Sequence, residues 1–408
     1  MQLRFPCFLG RRAHLGVTGS IAAYKSLELL RLLVDAQISV SVTLTAAAQR
    51  FVGAESYRAL GASTVYTGMF DAAPAADPFG HLTPGRTAEA MCIAPATANI
   101  LAKVAHGLAD DMLSAQALAF RGPLILAPAM NPAMWAAPAT QSNWTLLQER
   151  GATGVGPAAG PVACGDTGKG RLAPVELIFA EVLRALSPKD LAGRTILVTL
   201  GPTREPWDAV RFLSNPSSGR MGAAMTMAAW LRGAKVQVVA GPTAYEFPPD
   251  VEVTRVTTAR EMYDAATALW KQADVGCCTA AVSDFRPIPA VSGTARKLKK
   301  RDLPDGPLSI QLEANPDILR SLGAVKRPEQ RLIGFAAETH DLVEQARLKF
   351  AEKHLDIMVA NRVGVPGSGF DADTNTVTVL DGKGRCEQWP ELPKTEVAWR
   401  VWDLLRLL

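Results

Sequence analysis

The stretch from Ile196 to Gly222, ILVTLGPTREPWDAVRFLSNPSSGRMG, restricts the possible folds more than any other part of the chain. It opens on a β-branched apolar run, Ile196 to Leu200, turns at Gly201-Pro202, and ends in Ser-Ser-Gly ahead of a helical pattern from Ala223 to Arg232. That order predicts strand, loop and helix. It falls near the middle of 408 residues, where it reads as the start of a second α/β domain. The loop sets the backbone N–H groups of Ser217, Ser218 and Gly219 at a helix start, with Arg204, Arg211 and Arg220 close in sequence. Such a loop is either a capped surface turn or an anion site, and three arginines in one segment favour a phosphorylated small molecule.

The first half alternates in the same way. Strands are expected at His14 to Val17, Ile38 to Leu44, Met91 to Ala94 and Leu124 to Ala127, delivering GVTGS, Thr45, APATAN and PAMNPAMW at their carboxyl ends. In an open parallel sheet those ends share one edge, which is where ligands bind. The APATAN and PAMN loops carry no charge, only isolated polar groups such as Thr97, Asn99 and Asn131. They suit a flat heteroaromatic ring, or they are merely tight strand-to-helix turns. From Gly151 to Arg171 the chain is Gly- and Pro-rich, which predicts a long irregular loop. Cys164 lies in it near Lys169 and Arg171, a setting for a reactive thiolate or for an incidental small hydrophobe. A helix from Pro174 to Leu186 and a polar joint at Ser187-Pro188-Lys189-Asp190 divide the chain into domains 1–186 and 187–408.

In the second domain, strands at Val236 to Val239, Val251 to Val256, Val275 to Thr279, Leu332 to Phe335 and Ile357 to Ala360 alternate with helical patterns such as Ala259 to Lys271 and Leu342 to Lys353. A second parallel sheet with helices on both faces is expected. Asp284 follows the strand ending CCTAAVSDF, and five cations crowd the run from Arg296 to Arg301. That run is a solvated surface loop or a grip for a nucleoside triphosphate.

Composition narrows the function classes. Apolar residues at 48% and charged residues at 20% supply two cores and exclude disorder. A net charge of +4, dispersed, argues against nucleic acid and membrane partners. The six cysteines form no C-x-x-C pair and show no metal-ligand spacing with the histidines, so a reduced cytoplasm is the expected setting. No apolar run is long enough to span a bilayer, and residues before Arg12 read as an extension rather than a signal.

The wording and order of these segments closely resemble the bacterial bifunctional coenzyme A biosynthesis flavoproteins, phosphopantothenoylcysteine decarboxylase fused to phosphopantothenate–cysteine ligase. The resemblance spans about residues 13–405. In the first half it rests on GVTGSIAAYK, Gly80-His81, APATAN, PAMNPAMW and ACGDTGKGR; in the second on GPTREP, SNPSSGRMG, AAVSDF, KLKK, NPDIL, GFAAET and GFDADTN. It implies an α/β chain of two doubly wound parallel-sheet domains, the first flavodoxin-like or Rossmann-like and flavin-binding, the second Rossmann-like and nucleotide-binding.

The resemblance further implies that Ser20, Thr45, Ala94, Pro95, Thr97 and Asn99 contact FMN. His81 matches the active-site histidine, Asn131 the side chain that holds the substrate carboxylate, and Cys164 the proton donor. In the ligase half, 4'-phosphopantothenate and CTP form an acyl-cytidylate that cysteine then opens, with Mg2+ offsetting the charge of the meeting anions. Asn215 matches the residue at the acyl-cytidylate, and Asp284 contacts the cytidine. Cys278, Thr279, Ala280, Pro316, Asp317, Ile318, Leu319 and Phe335 line the nucleotide site, and Lys297, Lys349 and Lys353 meet the phosphates. A homo-oligomer is expected.

Four departures stand out. Pro84-Gly85 after His81 breaks a helix that the family usually continues. Asp110 replaces an Asn, Ser283 an Ala and Arg220 a Lys. Two other readings are a non-catalytic flavin-binding regulatory protein and a nicotinamide-dependent oxidoreductase. The first has no need of His81, Asn131 and Cys164 together, and the second lacks its G-x-G-x-x-G.

Overall fold

The computed structural model describes residues 4–69, 78–288, 297, 309–338, 341–362 and 372–407. The chain divides into two compact units between Ser187 and Pro188.

The first unit is built on strands β1 (Arg12–Val17), β2 (Ser39–Leu44), β3 (Thr64–Tyr66), β4 (Ala90–Ala96), β5 (Leu124–Pro128) and β6 (Thr153–Gly154). All pair in parallel in the order β3-β2-β1-β4-β5-β6. Helices cover both faces, so a central strand such as β4, AMCIAPA, is buried at every position and reads as an unbroken apolar run. The helix Lys25–Asp35 buries Leu29, Leu30 and Leu33 on one stripe. Each such leucine stabilises the fold by roughly 2 kcal/mol. The described residues before β1 are not a loose extension: Phe5 and Phe8 flank and end a 3-10 turn, Pro6–Phe8, and both are buried. Residues 151–171 are likewise not irregular. They contain β6 and an antiparallel hairpin, β7 (Ala158–Pro161) with β8 (Thr167–Arg171), because backbone pairing does not require alternating side chains.

The second unit holds β9 (Thr195–Leu200), β10 (Arg204–Pro206), β11 (Phe212–Ser214), β12 (Lys235–Ala240), β13 (Glu252–Arg255), β14 (Val275–Cys278), β15 (Phe285–Pro287), β16 (Leu312–Ala314), β17 (Arg331–Glu338), β18 (Ile357–Arg362), β19 (Thr374–Asp381) and β20 (Cys386–Pro393). Its main sheet runs β13-β12-β9-β14-β17-β18-β19-β20, with β10–β11 and β15–β16 as separate two-stranded arms. The expected parallel order holds as far as β18; β19 and β20 then add an antiparallel edge. The helix Arg220–Leu231 is rich in Ala and nearly all buried. Gly222 makes its close approach possible, since a Cβ there would stand 2.3 Å from both Leu200 Cβ and Thr279 Oγ1. Beneath its end Arg232 is fully buried, its guanidinium paired with Asp190 at 2.5 Å and Asp403 at 2.9 Å. Among the described residues no helix is long and apolar enough to cross a membrane.

One core group gives the first unit a pH dependence. His14 on β1 is fully buried, with Nδ1 2.8 Å from Ser41 Oγ, and burial lowers its pKa to about 3. The unfolded chain binds a proton near pH 6.5 that the folded unit refuses, so stability is complete above that pH and falls as pH drops towards 3. The first unit is expected to lose about 2–3 kcal/mol between pH 6.5 and 4.5. His14→Gln should flatten that interval in urea melts followed across the pH range.

Candidate active sites

The order of the first sheet reverses between β1 and β4, and the crevice outside their carboxyl ends is the place where such a sheet takes a ligand. Buried Thr18 joins its two banks: Oγ1 donates to the Pro95 carbonyl at 2.7 Å and accepts from the Thr97 N–H at 3.1 Å. Ala94 and Pro95 are buried, while Asn99 is exposed on the first turn of the helix Ala98–His106. Thr97 precedes that helix without a side-chain capping bond, which leaves its hydroxyl and the helix-start N–H groups to an anion. Ser20 Oγ accepts from the Ala22 N–H at 3.3 Å, and Thr45 Oγ1 from the Ala48 N–H at 3.2 Å. Ile21, Tyr24 and Phe51, close in sequence to these hydroxyls, expose large apolar side chains. Uncapped N–H groups and hydroxyls beside apolar surface fit a phosphate-bearing aromatic cofactor.

His81 is half-buried in a turn whose geometry is fixed from the core. The Gly80 carbonyl accepts from Gln116 Nε2 at 2.8 Å, and Gln116 Oε1 accepts from Thr43 Oγ1 at 2.6 Å. Pro84-Gly85 does not break a helix here. It opens one, Thr83–Thr87, with Pro84 in the first turn, where its missing N–H forfeits no bond.

Asn131 and Cys164 come together. Asn131 caps the helix Pro132–Ala136, its Oδ1 accepting from the Ala133 N–H at 2.8 Å. Its Nδ2 donates to Cys164 Sγ at 3.3 Å and to Asp166 Oδ2 at 2.6 Å, and Sγ donates to the same Asp166 oxygen at 3.5 Å. The thiol thus bonds to an amide and a carboxylate, rather than to the Lys169 and Arg171 side chains close to it in sequence. The hairpin that carries Cys164 docks beside Asn131 through the Met130 N–H, which donates to the Gly170 carbonyl at 2.9 Å. Only glycine permits this contact, because a Cβ on Gly170 would stand 2.3 Å from the Met130 oxygen.

The second sheet reverses between β9 and β14, and a cavity of about 460 Å³ opens there, the size of a small-molecule site. Thr203 repeats the bracing seen at Thr18: buried, it accepts from the Ser283 N–H at 3.0 Å. Asn215, Cys278, Thr279, Ala280, Asp284, Pro316, Asp317, Ile318, Leu319, Phe335, Lys349 and Lys353 all line the cavity. Lys297 is exposed and is not among the lining residues; the rest of its basic run lies outside the described residues. Asn215 is held by two bonds from Nδ2, to the carbonyls of Ala281 at 3.2 Å and Val282 at 3.1 Å.

Asp317 caps the helix Ile318–Ala324 through the Arg320 N–H at 2.9 Å and pairs with Lys353 at 2.9 Å. Burial alone raises its carboxyl; the Arg320 N–H and the Lys353 ammonium outweigh this and hold it below the usual carboxylate range. Lys349 pairs with Glu338 at 2.6 Å. Burial pushes the Cys278 thiol up to about 12, which makes it a neutral wall rather than a nucleophile.

Only one of the three loop arginines reaches this cavity. Arg204 stacks over Phe212 at 4.7 Å and Arg211 pairs with Asp208 at 3.1 Å, so their charge is engaged within the β10–β11 arm. Arg220 does line the cavity, bridging Asp373 and the Tyr245 hydroxyl. Two of the expected anion-binding N–H groups also bond locally, Ser217 N–H to the Asn215 carbonyl and Gly219 N–H to Ser217 Oγ. Sequence reasoning missed Thr18, Gln116 and Asp166 in the first unit, and Thr203, Asn361, Asn375 and Lys394 in the second, the last three lining the cavity. Asp166 and Asn375 stand inside the ACGDTGKGR and GFDADTN segments, whereas Gln116, Asn361 and Lys394 lie in none of the segments singled out from the sequence.

The two units define a flavoprotein joined to an α/β unit with a small-molecule cavity. Residues 9–187 match the family described as Flavoprotein, and residues 191–407 the one described as DNA/pantothenate metabolism flavoprotein C-terminal domain. The chain is 41% identical over 370 residues to the coenzyme A biosynthesis bifunctional protein CoaBC of Escherichia coli (strain K12), covering 90% of each chain. It is 39% identical over 400 residues to the protein of the same description in Bacillus subtilis (strain 168), covering 96% of this chain and 95% of that one. The chain belongs to the family of bifunctional coenzyme A biosynthesis proteins, combining a flavin-dependent decarboxylase with a ligase. A purely regulatory flavin binder and a nicotinamide oxidoreductase are both disfavoured by that membership.

Proposed function

We propose that the chain makes 4'-phosphopantetheine from 4'-phosphopantothenate, cysteine and CTP, with ligation in residues 187–408 and FMN-dependent decarboxylation in residues 1–186. The observation that carries this reading is a pair of sheet-reversal crevices with different equipment. In the first unit an amide and a thiol stand 3.3 Å apart past the end of β5, and in the second two lysines line the cavity.

In the ligase, Lys349 and Lys353 offset the triphosphate charge as the 4'-phosphopantothenate carboxylate attacks the α-phosphate. Lys297 joins them from the basic run. Asp284, Phe335 and the Pro316 to Leu319 turn hold the cytidine, and Asn215, fixed by its two carbonyl partners, meets the acyl-cytidylate before the cysteine amine displaces CMP. Among the described residues no three His, Cys, Asp or Glu side chains gather as a metal site. Mg2+ is proposed to arrive on the phosphates of CTP, the usual carrier of this ion to such a site.

In the decarboxylase, the hydroxyls of Ser20, Thr45 and Thr97, the Ala94-Pro95 turn and Asn99 hold FMN. Bound flavin supplies a reversible two-electron oxidation at the thiol-bearing carbon, which gives the electrons left by CO2 a place to delocalise. Asn131 holds the departing carboxylate, His81 acts before CO2 is lost, and Cys164 returns a proton to the carbon afterwards. The working unit is proposed to be a homo-oligomer, a reading supported by the exposed apolar side chains of Phe212 and Leu213.

The purified protein is expected to be yellow and to release FMN by mass. With 4'-phosphopantothenate and carboxyl-labelled cysteine it should evolve labelled CO2 only when CTP is added, with pyrophosphate formed in equal amount. FAD, a nicotinamide or no cofactor at all would overturn the first assignment; label release without CTP would overturn the second.

A further inference from the structure

We propose that Asp166 is a positioning residue that binds the proton donor and the carboxylate holder into one unit. The inference rests on the reading of Cys164 and Asn131 given above. The chemistry requires these two groups to be neighbours, because the carbon that loses CO2 is the carbon that needs the proton. A donor placed beside the amide that held the carboxylate is therefore already beside its target.

Neither side chain fixes this placement alone. Cys164 and Asp166 are exposed in the connection of the β7–β8 hairpin, and Asn131 belongs to a different element, at the start of the helix Pro132–Ala136. The hairpin connection has bonds of its own, Val162 N–H to the Asp166 carbonyl at 2.9 Å and Gly165 N–H to the Val162 carbonyl at 3.0 Å. These shape the connection and leave its side chains free to turn. One carboxylate oxygen of Asp166 closes the arrangement, accepting from Asn131 Nδ2 at 2.6 Å and from Cys164 Sγ at 3.5 Å, while Asn131 Nδ2 reaches Sγ at 3.3 Å. The result is a three-membered ring of hydrogen bonds that sets the Cys164 side chain against the amide. With the Asn131 Oδ1 already on the Ala133 N–H, the amide is held at both ends. When substrate arrives, its carboxylate takes an Asn131 N–H while Asp166 still anchors the thiol. After CO2 departs, the proton leaves Sγ for the substrate carbon and solvent restores it.

The test compares full-length Asp166→Ala, Asp166→Asn and Cys164→Ser with the parent by rapid quench, timing CO2 against 4'-phosphopantetheine. Asp166→Ala is expected to slow CO2 release by no more than about threefold, since Asn131 keeps its anchor on the Ala133 N–H, while product formation slows by about tenfold to a hundredfold, the range set by losing alignment of a reacting group. Asp166→Asn, whose amide oxygen accepts the same two hydrogens, should return to within about threefold of the parent. A readout independent of turnover is hydrogen exchange at the Ala133 amide. It should quicken several-fold in Asp166→Ala, where Asn131 is released, and stay at the parental rate in Cys164→Ser. The proposal is overturned if CO2 and product slow together in Asp166→Ala, if Asp166→Asn is no better than Asp166→Ala, or if Ala133 exchange is unchanged. If Cys164→Ser itself keeps CO2 and product in step, the reading of Cys164 beneath the inference fails instead.

Discussion

Cys164→Ser is expected to let one equivalent of CO2 escape and then to stop, with 4'-phosphopantetheine formation at least about a thousandfold slower than in the parent. A serine hydroxyl occupies nearly the same volume and can keep both hydrogen bonds seen at Sγ, to Asn131 and to Asp166. What it lacks is acidity, since a hydroxyl gives up its proton far less readily than a thiol. His81→Asn should act earlier, suppressing CO2 itself. Single-turnover measurement of labelled CO2 alongside product resolves the two; parallel partial slowing of both by either change would assign structural roles to both side chains.

Lys353→Gln is expected to lower kcat/KM for CTP by about a hundredfold, a loss on the order of 3 kcal/mol of transition-state stabilisation. Two effects combine. The cation proposed to meet the phosphates disappears, and Asp317, its partner at 2.9 Å, is left as an uncompensated carboxylate on the cavity wall. Asp317→Asn keeps the helix cap, because an asparagine oxygen also accepts the Arg320 N–H. The double variant Lys353→Gln with Asp317→Asn should therefore recover part of the loss, about tenfold. Lys297→Gln should instead act mainly on kcat, with a smaller change in the CTP requirement. Steady-state kinetics at two ionic strengths distinguish these outcomes: equal, salt-sensitive losses for Lys297 and Lys353 would reduce both to general surface charge.

Strands buried on both faces announced themselves. TILVTL, KVQVVA and AMCIAPA needed only their own composition, and their carboxyl ends then pointed to Thr97, Asn215 and the cavity wall. The β7–β8 hairpin did not, because glycines such as Gly160 and Gly168 remove the alternation by which a strand is recognised. Phe5 and Phe8 were passed over since a single turn has no period to detect. The contacts that complete the sites were less visible still. Asn131 meets Asp166, Lys353 meets Asp317, and Gln116 meets Gly80 across more than thirty residues of intervening chain. Local pattern carries element type; it does not carry which distant side chain an element will meet. Cys278, Thr279 and Ala280, at or just past the end of β14, and Phe335, on β17, line the second unit's cavity. Where the sequence was read by charge alone, as with Arg204 and Arg211, neighbouring side chains engaged the group instead.

Thr18 and Thr203 each tie one bank of a crevice to the other through main-chain partners, the Pro95 carbonyl and Thr97 N–H in one unit and the Ser283 N–H in the other. Such a tie sets the gap before any ligand enters, so little ordering entropy is left for the ligand to offset. Its partners belong to the backbone, and it is therefore indifferent to which side chains the two banks carry. Substitutions along either bank can alter what is recognised while the gap keeps its width. That separates the inheritance of a scaffold from the inheritance of a specificity, and lets one plan of chain serve two unrelated chemistries within a single polypeptide.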